Sequence, residues 1–257
     1  MFCFINSMVM KKTAFLIFVF LFSSMLIFSQ RRTQTVKWIS FALKGGVGNS
    51  YFLNTDHLND PNVELNLFSL SHSVGGRLTF TYGDHLGLGS DVLLSAYNEK
   101  YSIRNEAANV SYEKNIKLST LDIVPFFRYT GYNTAYVELG AKISKINSVF
   151  EENTVQENFN PLELEMLEPK FTGAIFGFGL ALYKTDRLDI NLGARLSYAF
   201  TDLSPNRDII NDGFFIPDYT VNSATNPLSF QALLEVNYFF AFWGDAKCGR
   251  GRLMFFQ

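Results

Sequence analysis

Apolar and polar residues alternate along most of this chain with a period of two, which is the period of an extended strand. Residues 188–201 show it best. Leu188, Ile190, Leu192, Ala194, Leu196, Tyr198 and Phe200 fall on one face, opposite Asp189, Asn191, Gly193, Arg195, Ser197, Ala199 and Thr201. A strand this long exceeds the five or six residues usual in soluble sandwiches and suits a wall between lipid and a wet interior. The pattern recurs around residues 39–48, 74–82, 86–97, 121–129, 135–144, 173–183 and 230–242. That makes about eight strands, an even number, as closed bacterial barrels have. In 173–183 the alternation places Tyr183 inward with the glycines, and in 230–242 it places Phe240 and Phe242 outward.

The connections alternate strictly between short and long. Tight turns fall at Gly83-Asp84-His85, Gly131-Tyr132-Asn133 and Lys184–Arg187, and long polar links at 49–70, 102–116, 151–170 and 202–227. Such alternation is required when one barrel end faces the periplasm and the other faces outside. The expected fold is therefore all-β: a closed antiparallel up-and-down transmembrane β-barrel of about eight strands spanning residues 30–243. An open sheet edge in lipid would leave backbone donors and acceptors unsatisfied, so closure is part of the expectation. Aromatics near strand ends, among them Trp38, Tyr82, Tyr129, Tyr132, Tyr198, Tyr238 and Trp243, fit interfacial girdles.

The N-terminus reads as an export address. Lys11 and Lys12 precede an apolar run, Thr13–Phe28, followed by Ser29-Gln30-Arg31-Arg32. A basic segment, a short apolar segment and a small residue before a polar stretch describe a secretory signal peptide over 1–29, with Met10 as the natural start and cleavage after Ser29. The run is shorter than the ~20 residues a membrane-spanning helix needs. Residues 244–257 form a C-terminal tail of undecided role: the barrel ends at Phe240 or Phe242, or the chain runs on to Phe256.

Composition agrees with this frame. The 257 residues are 47% apolar and 16% aromatic, with 27 Phe, 12 Tyr and a net charge of −2. A near-neutral chain without basic blocks is not built for nucleic acid. Of the two cysteines, Cys3 lies in the leader and Cys248 in the tail, so no disulfide framework is expected.

The predicted inward positions carry the chemistry. They include Lys44, Arg77, Arg128, Lys142 and Arg195, with Asp91, Asp122, Glu138, Asp189 and Glu235, and Glu99 further along. An eight-stranded barrel is just wide enough for side chains to fill it. Charges packed there must pair, which predicts a salt-bridged, closed interior. A narrow ion path is the competing reading. Inward glycines such as Gly75, Gly87, Gly140, Gly177, Gly179 and Gly193 would leave room for large neighbours.

The Lys-Lys leader ending in Ser-Gln, the first strand Phe41-Ala-Leu-Lys-Gly-Gly-Val-Gly48 and the meander of alternating turns resemble the outer-membrane β-barrel domain family common in Bacteroidota. That family includes the PorT-like proteins and is similar in architecture to the OmpA, OmpX and OmpW barrels. The resemblance implies an outer-membrane location and a structural, adhesive or assembly role, with lipid or lipopolysaccharide and extracellular or secretion-machinery proteins as partners.

Two other classes stay open: a narrow pore for small solutes and a lipid-modifying enzyme. The enzyme needs a nucleophile beside a base, and Ser71-His72-Ser73 is where a histidine adjoins hydroxyls. Neighbours on a strand point to opposite faces, so a serine from a facing strand would be required. His57 and His85 lie in a loop and a turn without partners at useful spacing. No metal or cofactor signature is present, and no cofactor is expected. The acidic stretch Glu151, Glu152, Glu157, Glu163, Glu165 and Glu168 could meet divalent cations. Asp202, Asp208, Asp212 and Asp218 with Phe214, Phe215 and Tyr219 form a second candidate contact surface.

Overall fold

In the computed structural model, eight strands close into one ring, and two short strands are added to it. Described are residues 37–255 except 60–62, 67, 84, 106–109, 133, 154–166, 204–222 and 246–250. The leader, Cys248, Phe256 and most of the two loop clusters (Glu157, Glu163, Glu165; Asp208, Asp212, Asp218) lie outside the described residues. The ring comprises β1 (Lys37–Leu53), β3 (Leu70–Tyr82), β4 (Leu86–Asn105), β5 (Val110–Thr130), β6 (Ala135–Asn153), β7 (Lys170–Lys184), β8 (Leu188–Ala199) and β9 (Asn226–Asp245). Pairing of β1 with β9 from Lys37↔Trp243 to Leu53↔Asn226 joins the ends.

The register fixes the barrel's geometry. Followed from partner to partner, the row Ile39, Phe80, Leu88, Phe127, Leu139, Phe176, Leu196, Phe230 returns to β1 at Asn49, ten residues beyond its start. With ordinary strand spacing and rise, that stagger over eight strands tilts them by about 40° from the barrel axis, inside the ~35–45° of closed barrels. Most members of this row point outward and are exposed, among them Phe80, Leu88, Leu139 and Phe230. Leu43, Val74, Leu94, Phe178 and Leu234 widen the row into an apolar belt around the whole ring. Soluble monomers rarely expose apolar patches above a few hundred Å², so this belt is the wall of a barrel that spans lipid.

Past the belt, the strands continue. β4 and β5 stay paired as far as Asn105↔Val110, and β5 and β6 as far as Lys114↔Asn153. The expected long links at 102–116 and 49–70 are thus largely structured: β1 runs to Leu53, a helical turn α1 follows at Thr55–Asn59, and β2 (Val63–Leu65) pairs with β4 at Tyr101–Ile103. Outward positions here become polar, as at Lys100 and Arg104. Loss of apolar alternation resembles a loop in sequence, yet a strand beyond the lipid needs no apolar outer face.

Two register shifts at the turn end alter the facing there, and a third falls between Ser119 and Thr120 on the β5–β6 pair. Between Ala181 and Tyr183 the β7–β8 register shifts, so Tyr183, expected inward, is 55% exposed and joins Tyr82, Tyr129 and Tyr238 at the turn end. On β9 a shift sets Ala241 opposite Ile39 but Phe239 opposite Ser40, so that Phe242, expected on the outward row, pairs with Trp38 of the vestibule wall. Each extra residue reverses the parity beyond it. The tail folds back as β10 (Gly251–Phe255), antiparallel to β9 at Ala241–Asp245. β1 already occupies one flank of that segment, so β10 takes the flank that β8 leaves free after Leu188↔Tyr238.

Glycines permit the tight coil of the wall. A Cβ at Gly75 would stand 2.0 Å from the Val92 carbonyl oxygen, whereas one at Gly45 would meet nothing within 4 Å. Gly75→Ala should therefore lower the temperature at which the folded, faster-migrating gel band converts to the unfolded one, while Gly45→Ala should leave it within a few degrees of the parent.

Candidate functional site

All five predicted cations and all six predicted carboxylates of the lumen are buried, yet they do not form one network. Four cations and three carboxylates make the central layer: Lys44, Arg77, Arg128 and Arg195 with Asp91, Glu138 and Glu235. Strand register prepares it. Lys44 lies opposite Glu235, Arg77 opposite Asp91 and Arg128 opposite Glu138, each on adjacent strands. The longer contacts then cross the lumen. Glu138 accepts from Arg77 Nη1 at 2.7 Å, from Arg128 Nε at 2.8 Å and from Arg195 Nη2 at 2.8 Å. Asp91 accepts from Arg77 Nε at 2.5 Å, Lys44 Nζ at 3.1 Å and Arg195 Nη1 at 2.8 Å. Glu235 meets Arg77 Nη1 at 2.7 Å and Arg128 Nη2 at 2.8 Å, and also takes the amides of Asn191 and Asn237.

Aromatic rings pack among these charges. Phe126 lies between Gly89 and Gly140 in register, and the Arg77 guanidinium stands 4.0 Å from its ring centre. Tyr136 projects over Gly179 and Gly193, where any Cβ would come within 2.6 Å of it, and Arg128 covers its ring at 4.0 Å. Glycine opposite a large ring is how so narrow a lumen holds both rings and guanidinium groups.

Towards the loop end comes a smaller group. Lys142 stands 3.4 Å from Asp122, which also accepts from Tyr97 and Thr120 at 2.7 Å each. A cavity of 20 Å³ between this group and the central layer has room for about one water. Beyond it the lumen turns apolar. Phe52, Tyr101, Ile116, Leu118, Phe171 and Leu203 pack as a buried cluster. Alternation did not reveal this cap because its members lie in or beside segments that read as loops, although inward positions 97, 101, 116 and 118 keep the period of two. Glu99 is buried beneath the cap, bonded to the backbone N–H of Phe52.

Asp189 stands apart from the central layer. It lies at the turn end, opposite Asn237 and Lys184 in register, and lines an open vestibule of 480 Å³ whose floor includes Arg128. The lumen is thus a blind cup: open at the turn end, charge-sealed in the middle, apolar-sealed near the loops.

Among the described residues, His72 and His85 supply no nucleophile–base pair. His72 points outward between Val47 and Ala96, while Ser71 and Ser73 point inward and are buried. The facing serine that acyl chemistry requires is absent among the described residues. His85 Nδ1 sits 2.7 Å from the Thr130 carbonyl oxygen, bracing the β5 end, and the His57 side chain lies outside the described residues. No three metal-ligating side chains converge among the described residues.

No family model matches this chain, and no curated protein matches it. Solved structures with a similar course include Neisserial surface protein A, at 13% identity over 78% of this chain and 97% of that one, TM-score 0.35. The outer membrane protein OprG from Pseudomonas aeruginosa is 13% identical over 80% of this chain and 95% of that one, TM-score 0.33. Ail, the attachment invasion locus protein of Yersinia pestis, is 11% identical over 81% of this chain and all of the other, TM-score 0.31. The fold assignment above rests on the hydrogen-bonded register alone.

Removing one member of a buried ion network strands its partners at a cost of about 3–5 kcal/mol. Glu138→Gln, which leaves three guanidinium groups short of a carboxylate, should lower the stability in lipid vesicles by roughly that much, read from urea unfolding. Lys142→Met should cost less, because Asp122 keeps the Tyr97 and Thr120 hydroxyls.

Proposed function

We propose that this chain is an integral outer-membrane barrel that conducts no solute and acts through its loop end, as a structural or docking element. The observation that carries this is the doubly sealed lumen. Ions crossing it would have to displace groups already held by several charge-assisted bonds and then pass an apolar cap. The strand extensions of β4, β5 and β6 beyond the belt provide a rigid platform there, and function on such scaffolds concentrates at loops and strand ends. Lipopolysaccharide and extracellular or secretion-machinery proteins are the partners this reading expects. The finer likeness to the PorT-like proteins of Bacteroidota rests on the leader and on Phe41–Gly48.

Purified barrel in planar bilayers should give no unitary conductance steps at moderate voltage and salt. Regular ohmic steps would retire the closed reading in favour of the narrow pore.

The lipid assignment has its own test. Val92 points outward within the belt and Ser102 lies above it on the same strand. An outward Arg costs about 2–4 kcal/mol at the bilayer midplane and near zero at the interface. Val92→Arg should therefore destabilise the folded barrel in vesicles markedly, and Ser102→Arg hardly at all.

A further inference from the structure

The turn-end vestibule is a large volume of the described lumen that the sealing contacts leave open, and its walls differ in chemistry. Four consecutive strands of the ring, β3, β1, β9 and β8, present Thr79, Ser40, Asn237 and Asp189 to it. Asp189 is 8% exposed and Thr79 is 5% exposed, and each keeps an oxygen, Asp189 Oδ1 and Thr79 Oγ1, with no hydrogen-bond partner. Native proteins rarely leave buried polar atoms unmet, and such atoms call for an explanation. Asn237 and Asn191 both spend their amide nitrogens on Glu235. Each amide keeps its acceptor oxygen and one N–H. This wall is therefore a carboxylate among neutral groups that can accept hydrogen bonds.

The other side offers little to an anion. Arg128 reaches the floor, but its Nε and Nη2 are engaged by Glu138 and Glu235. Lys184, the cross-strand partner of Asp189, also lines the vestibule; it is exposed, stands beyond ion-pair distance of that carboxylate, and is the cation a ligand would compete with. Trp38 and Phe239 stand edge to face at the mouth, centroids 6.0 Å apart, and give apolar faces suited to the body of an organic cation.

We propose that the vestibule binds a small hydroxylated organic ammonium, with its charged nitrogen at Asp189 and its hydroxyls among Thr79, Ser40 and Asn237. An ammonium is donor-only and meets acceptors without leaving any of its own groups unpaired. The volume of 480 Å³ admits a molecule of monosaccharide size. The site opens at the turn end, which faces the periplasm in the proposed orientation, so it draws on a different ligand pool from the loop platform. It depends on the barrel fold and not on whether the lumen conducts.

The test uses glucosamine, at a pH where its amine is charged, and glucose as the matched probe without the ammonium. The readout is the Trp38 indole N–H signal of the full barrel in lipid discs. Glucosamine should shift that signal saturably, with glucose at least ~10-fold weaker, the size expected when a partly buried charge pair is lost. Asp189→Asn should bring glucosamine down to the level of glucose. Lys184→Gln, a change at an exposed turn that removes a competing cation, should tighten glucosamine several-fold. The variants' folding is read independently from gel mobility without boiling. The proposal is overturned if glucosamine gives no saturable shift, if glucose binds as well, or if folded Asp189→Asn binds glucosamine unchanged. Unitary conductance would retire the closed reading and leave this comparison of probes intact.

Discussion

Glu138 holds three guanidinium groups at once, from Arg77 on β3, Arg128 on β5 and Arg195 on β8. That carboxylate ties together strands on different sides of the barrel. A lumen this narrow has no bulk water to solvate a charge, so each charge must find its partner in protein. The rest of the interior is arranged around meeting that demand. Glycines at 89, 140, 179 and 193 give up side-chain volume to Phe126 and Tyr136. Those rings in turn lie against the Arg77 and Arg128 guanidinium planes.

The same constraint explains why the two ends of the lumen differ. Near the loops the wall extends beyond lipid, the interior is farther from the charged layer, and apolar residues close it by ordinary packing. At the turn end the strands stop at tight turns, and nothing comparable among the described residues covers the charged layer. A vestibule remains, with Asp189 outside the network although its neighbours Asn191 and Asn237 are within reach of it. Four cations against three carboxylates leave the central layer one positive charge in excess. Placing a carboxylate at its open side offsets that excess.

The outer surface obeys a second demand, that of backbone satisfaction without water. Closure between β1 and β9 meets it within lipid. Outside lipid the rule relaxes, and there the additions appear: β2 beside β4 above the belt and β10 beside β9 below it.

The sequence by itself determined the eight strands, their limits at the turn end and, away from the bulges, which residues face in. All of these follow from a period of two, which is a local property of extended backbone. It also determined that Lys44, Arg77, Asp91, Glu138, Arg195 and Glu235 share one interior. Only the tertiary structure decided which of them meet. Arg128 and Glu235 are 107 residues apart, and their contact depends on the ten-residue stagger accumulated around the ring. The bulges that turned Tyr183 outward and set Ala241 opposite Ile39 were equally invisible, since one inserted residue reverses facing without disturbing composition. The separation of Asp189 from the network and the apolar cap belong with these, because both are set by height along the barrel axis, a quantity that alternation does not encode.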